Sequence, residues 1–217
     1  SCSLVGSEMC IRDRLNNFKK YNTVPICGFI YHDEVNHCKP VKYSWSGGEE
    51  KVSLGDAFKL NAELYLTALW NKLFDMQIIE KFYIRFDENL SMGEDLRFSV
   101  EYFEKSGTEF VYAFSAHLYH YTKLSENTLM SDFARGNAED GIKSLKMIYD
   151  LAVKYNSDAD LEYNKAVKNL KDNYIYFLVR DKKYSWKQQF TKIKVFKSDY
   201  SMSNFILDKF KMVKEKL

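Results

Sequence analysis

Gly93-Glu94-Asp95 sets two carboxylates side by side directly after a glycine. Adjacent carboxylates raise each other's proton affinity, which suits one of them to proton transfer. The same pair also suits the first turn of a helix, where acids meet the positive end of the helix dipole. His117 and His120 lie in an aromatic-rich stretch, and imidazole is a ligand for divalent transition ions. A lone histidine in a strand is more often structural. Asp158-Ala159-Asp160 has paired carboxylates, but it falls between two helical segments and reads as a helix-capping loop. Cys27 sits in an apolar run and Cys38 in a polar stretch, with no Cys-x-x-Cys spacing. Both read as reduced thiols of a cytosolic protein, outside any disulfide or metal site.

The elements that must position these groups follow from periodicity. Val24–Tyr31 is a short apolar run that suits a buried strand. Residues 32–52 are polar, contain Ser46-Gly47-Gly48, and read as a weak hairpin or loop. Ser53 is placed to cap a short helix through Leu60. A stronger helix is expected over 62–74, with Leu64, Ala68, Leu69 and Leu73 near one face, and a short one over 76–82. Ile84–Asp87 reads as a brief extended piece. A helix is expected over 94–105, with Leu96, Val100 and Phe103 as its apolar side, then a strand from Phe110 to Tyr121. Beyond residue 132 the spacing is helical over 136–155, 160–180, 185–196 and 203–216. Leu145, Ile148, Tyr149 and Ala152 form one apolar stripe, and Leu170, Tyr174, Phe177 and Leu178 another.

The 217 residues are 46% hydrophobic and 16% aromatic, enough for one domain with a sizeable core and, at most, a small appendage. The mean hydropathy is −0.43, and no apolar run approaches the roughly 20 residues that span a bilayer. The net charge of +2 hides an uneven arrangement. Residues 15–132 hold 12 Lys and Arg against 17 Asp and Glu, whereas residues 133–217 hold 18 against 11. Residues 165–197 alone carry ten Lys and Arg against two Asp, interleaved with Tyr, Trp and Phe. That composition suits a solvated charged face over an aromatic core, and also an anionic membrane surface. Nucleic acid ranks below both, and none is expected as a partner.

Residues 4–14, LVGSEMCIRDR, resemble the translation of a transposase-type sequencing adapter and are set apart from fold reasoning. The expected organisation is therefore an adapter-derived segment at 1–14, an α/β part at 15–132 and a basic helical extension at 133–217.

Leu69–Phe74 carries the string WNKLF, Ile84–Glu88 reads IRFDE, and Gly93–Asp95 reads GED; Tyr119-His120-Tyr121 is followed by Ser125. In this order and spacing they resemble the second half of the catalytic domain of bacterial family 2 glycosyltransferases, over roughly residues 15–132. The resemblance implies the C-terminal part of a GT-A domain with few strands, an α/β fold, followed by the helical extension. It implies an inverting transfer of a sugar from a nucleotide-sugar to a glycan or lipid-linked acceptor in cell-surface polysaccharide synthesis. Asp95 then corresponds to the family's catalytic base, with Glu94 orienting the acceptor or tuning Asp95. Trp70 corresponds to the acceptor wall, since aromatic faces stack on sugar rings, with core packing an equal alternative. Asn71 and Lys72 fix their segment to neighbouring loops. His120 corresponds to a late metal ligand, with a structural role ranking above ligation.

One departure bears on activity. Family members hold a divalent metal, Mg or Mn, against the donor diphosphate through a D-x-D motif, and residues 15–132 contain none. The match begins just after that motif's expected position. The resemblance thus implies a truncated, inactive chain to which no cofactor binds tightly. The basic, aromatic-rich tail adds the expectation of a complete protein in the cytoplasm, peripheral at the inner face of the plasma membrane. Loss of the front half is expected to expose the apolar faces of Val24–Tyr31 and Phe110–Tyr121 as an unpaired sheet edge, an aggregation hazard. The alternative is a non-enzymatic helical binding module in which the Gly-Glu-Asp string is incidental.

Overall fold

A computed structural model describes residues 12, 14–16, 18–20, 22–88, 90, 93–124, 138–156, 158–180 and 183–214. Most of the adapter-like segment, and Ser125, lie outside them. The fold is mixed α/β. Strand β1 (Val24–Asp33) is parallel to β4 (Phe110–Lys123), and the two form the centre of a four-stranded sheet of order β2-β1-β4-β3. Strands β2 (Val41–Tyr43) and β3 (Glu50–Ser53) close the two edges in antiparallel fashion. The 32–52 segment is therefore more ordered than a loop. Two short, partly charged strands occupy the edges, which is how sheets are protected from further pairing.

Ser53 accepts a hydrogen bond from the Gly55 N–H and starts a single 3-10 turn over Leu54–Asp56, which runs into α1 (Ala57–Ala62). Here the expected long helix over 62–74 does not form. Leu64 adopts a left-handed φ of 64°, and the chain continues as tight turns to Asn71. Tertiary demands override the periodicity. The Cys27 N–H donates to the Asn71 carbonyl (2.8 Å), and Lys72 bridges Ile26, so this stretch must run alongside β1 beyond the end of β2. Asp75 then caps α2 (Met76–Phe82), accepting from the Gln77 N–H at 2.8 Å. Residues 84–87 form no strand. Gly93 opens α3 (Glu94–Ser106), whose Leu96, Val100 and Phe103 are buried as expected.

Helices α4 (Ala138–Tyr155), α5 (Asp160–Arg180), α6 (Trp186–Phe196) and α7 (Met202–Lys214) match the expected spans within two residues. Ile148, Leu151 and Ala152 of α4 join the core formed by Val24 and Ile26 of β1, Val111 and Ala113 of β4, and the buried sides of α1 and α3. Cys27, Tyr112 and Phe114, at alternate strand positions, form a separate buried cluster. With both edges paired and α1, α3 and α4 packed on, Val24–Phe29 and Val111–Phe114 are buried. This corrects the expectation of an exposed sheet for those residues, whereas Phe110, His120 and Tyr121 of β4 are exposed as expected. A further core links α5, α6 and α7 through Ile175, Leu178, Val179, Ile193, Tyr200 and Phe205. Phe177 points out of it, so the inward stripe of α5 runs through 175, 178 and 179. Among the described residues no helix is long and apolar enough to cross a membrane.

Candidate active site

The WNKLF, IRFDE and GED segments converge on α3. Phe74 meets Phe98 edge to face at 5.4 Å and Tyr102 at 4.8 Å, while Phe86 stacks on Phe98 at 4.8 Å. The Asp75 N–H donates to the Tyr102 hydroxyl at 2.8 Å. Asp87 forms an ion pair with Arg97 at 2.6 Å. Aromatic pairs of this geometry contribute about 0.5–1.5 kcal/mol each beyond their burial. Together they fix the chain on either side of Gly93, so the first turn of α3 has a defined direction.

Glu94 and Asp95 are the first two residues of α3, both half-buried. Burial pushes the Asp95 carboxyl above the ordinary aspartate value; the neighbouring Glu94 charge pushes the same way, and the Lys72 ammonium opposes both. Gly93 has φ 82°, and a Cβ there would lie 2.6 Å from the Ser144 hydroxyl of α4. The positive φ is what calls for glycine, since the Ser144 hydroxyl can turn aside.

Lys72 is the group that sequence reasoning undervalued. Its side chain is buried, and its Nζ donates to the Leu66 and Ala68 carbonyls and to Asn71 Oδ1. It thereby satisfies carbonyls that the irregular 64–72 turn leaves without helical partners. Asn71 Nδ2 donates to the Leu64 carbonyl at 3.2 Å. Both residues fix their segment, as expected. Burial lowers the Lys72 pKa to about 7, against the smaller opposing effects of Cys27 and Asp95. The electrostatic link between Lys72 and Asp95 could not be read from the sequence, because it depends on a turn in place of a helix. Arg14 adds to the same segment, donating to the Trp70 carbonyl at 3.0 Å.

Trp70 is half-buried and stacks on Tyr119 at 4.4 Å, with its ring edge-on to Phe29 at 4.8 Å. Phe29 stacks on Tyr43 at 4.7 Å and Tyr31 on Tyr121 at 5.9 Å. An aromatic row thus crosses the C-terminal halves of β1 and β4, the end at which α/β sheets place ligands. The signal was present in the alternating Tyr119 and Tyr121. His120 Nδ1 lies 2.8 Å from His32 Nε2 in a hydrogen bond, and His117 Nε2 is 2.8 Å from the Ser44 hydroxyl. Among the described residues no group of three or more His, Cys, Asp or Glu is arranged to hold a metal ion. Asp158 and Asp160 lie in the α4–α5 connection, where Asp160 starts α5 and accepts from the Tyr149 hydroxyl at 2.7 Å. Cys27 and Cys38 are free thiols, the first buried and the second exposed.

No protein-family model matches the chain, and no curated protein does. Among solved structures it is similar to S. aureus TarS 1-349 in complex with UDP-GlcNAc, with a TM-score of 0.47 and 17% identity. That likeness covers 91% of this chain and 51% of the other, so the chain spans about half the length of that neighbour.

Proposed function

We propose that this chain is the acceptor-side half of an inverting, family 2 glycosyltransferase with a GT-A fold. The complete enzyme acts on a glycan or lipid-linked acceptor in cell-surface polysaccharide synthesis. The observation that carries the reading is that Phe74 and Phe86, from two separated segments, both pack on Phe98 of the helix whose first turn carries the half-buried Asp95. Asp95 takes the proton of the acceptor hydroxyl as its oxygen attacks the anomeric carbon. The bond to the nucleoside diphosphate breaks on the opposite side. A raised pKa strengthens Asp95 as a base. Glu94 orients the acceptor, and Trp70, backed by Tyr119, forms the wall against which the sugar ring stacks. His120 is a candidate ligand for a divalent cation, Mg or Mn, held chiefly by the D-x-D half that the complete protein supplies. Without that half the chain binds donor weakly and does not turn over.

The test is Asp95→Asn in the complete enzyme, assayed for transfer from a nucleotide-sugar. Loss of a general base lowers the rate by roughly 10²–10⁴-fold. Turnover near that of the unaltered enzyme would reject the assignment.

A further inference from the structure

The structure leaves one apolar surface without a partner on the helical extension. Met202, Ile206 and Phe210 recur every four residues on α7, and all three are exposed, Phe210 by 64%. Their spacing makes one ridge. The flanking stripe of α7, Phe205 and Lys209, packs inward. Trp186, the first residue of α6, is 65% exposed. Its ring meets Phe205 edge to face at 6.3 Å. The Lys209 ammonium lies 5.4 Å from the Trp186 ring centre and donates to the Val179 carbonyl. Trp186 is therefore held against the seam between α6 and α7 with most of its surface outward.

The charge around this patch decides what fits it. Residues 182–198 contain six Lys and no Asp or Glu. Helix α6 is entirely free of carboxylates, and its Lys187, Lys192 and Lys194 are exposed. The one acidic residue of α7, Asp208, lies off the ridge and is engaged by the Tyr200 hydroxyl and by Lys211 at 3.6 Å. An exposed apolar ridge, together with an exposed Trp on a neighbouring lysine-bearing helix free of acids, matches a bilayer surface with anionic headgroups. Aromatic and aliphatic side chains enter the headgroup boundary while lysines remain at the phosphates.

We propose that α6 and α7 dock on an anionic membrane surface, seating Trp186, Ile206 and Phe210 in the headgroup layer and Lys187 and Lys194 against the lipid phosphates. The chain lies on the membrane and does not cross it. This inference rests on the tail alone and stands or falls independently of the sugar-transfer reading.

The test uses the full chain with vesicles of phosphatidylcholine, alone or mixed with phosphatidylglycerol. Sedimentation is expected to show about tenfold or greater preference for the anionic vesicles. Brominated lipid is expected to quench the tryptophan fluorescence. The paired substitution Trp186→Ser and Phe210→Ser keeps every charge and alters only exposed side chains. It should leave the circular dichroism spectrum unchanged and weaken vesicle binding at least about tenfold. Equal binding to neutral and anionic vesicles would overturn the proposal, as would full retention of binding by the paired variant. Tighter binding to a short DNA duplex, undisturbed by the paired substitution, would overturn it in favour of a nucleic-acid surface.

Discussion

Asp87 and Arg97 form a 2.6 Å ion pair that links the IRFDE string to the helix opened by GED. Arg97 lies one turn into α3, and its own N–H donates to the Gly93 carbonyl at 2.9 Å. The pair therefore ties residue 87 to the helix whose first turn carries Asp95. Asp87 is the more buried partner and Arg97 is about half exposed, so solvent screens much of the attraction. Asp87→Asn is expected to lower stability by no more than about 1 kcal/mol. Its larger effect should be on local order. Amide hydrogen exchange in the first turn of α3 should quicken while the α5–α7 core is unaffected, and an unchanged exchange pattern would show that the aromatic contacts suffice.

Lys72 gives the molecule a pH dependence with a defined sign. Its folded pKa, about 7, lies below the ordinary lysine value of 10.5. Between these limits the unfolded chain binds a proton that the folded chain does not, so this group makes stability rise with pH across that window. Lys72→Met should abolish that component of the slope, as read by urea denaturation at a series of pH values. The same change strands the Leu66 and Ala68 carbonyls and Asn71 Oδ1, which costs about 1–3 kcal/mol for an unsatisfied buried group. The variant is thus expected to have a flatter profile without becoming more stable at alkaline pH. A slope that survives the substitution would place the titrating group elsewhere.

Asp95 carries the opposite linkage. Its folded pKa is raised, chiefly by burial, so the folded state holds a proton that the unfolded state releases, and its contribution to stability falls as pH rises through that window. Asp95→Asn should therefore stabilise the chain at neutral pH while removing the carboxylate that the proposed reaction needs. Thermal melts at neutral pH would show it. A lower melting temperature in the Asn variant would mean that the ionised carboxylate is held by contacts that outweigh its desolvation.

Much of this framework was legible in the sequence. The run Val24–Tyr31, the aromatic stretch from Phe110 and the helix opened by Gly93 each carry one dominant pattern, and each forms where that pattern puts it. The segment 62–74 did not, although Leu64, Ala68, Leu69 and Leu73 have helical spacing. Its conformation is decided by the open edge of β1, which takes the Asn71 carbonyl, and by Lys72, which caps the turn from inside. A pattern of apolar residues reports which side chains are buried, and Tyr65, Leu66 and Ala68 are; it does not report which backbone buries them. The link between Lys72 and Asp95 was hidden for the same reason. The convergence of Phe74, Phe86 and Phe98 was foreshadowed only by the order of their strings.

Two glycines separate a demand for space from a demand for conformation. At Gly28 a Cβ would approach the Tyr43 carbonyl to 2.6 Å, at the point where the β1–β4 register shifts. That obstacle is backbone, so Gly28→Ala must displace β2 or break its pairing with β1. The expected loss is about 1–3 kcal/mol, typical of overpacking, and it should disturb the Phe29–Tyr43 stack next door. At Gly93 the obstacle is the Ser144 hydroxyl, a side chain that can turn aside, but the φ of 82° remains. Gly93→Ala should cost about 1–2 kcal/mol for forcing a side chain into the left-handed region. Removing the obstacle with Ser144→Ala should recover only a minor part of that loss. Urea denaturation of the two single variants and the Gly93→Ala, Ser144→Ala pair distinguishes the causes. Near-complete rescue by Ser144→Ala would mean that crowding by α4, and not the turn at the head of α3, is what keeps glycine in front of Glu94 and Asp95.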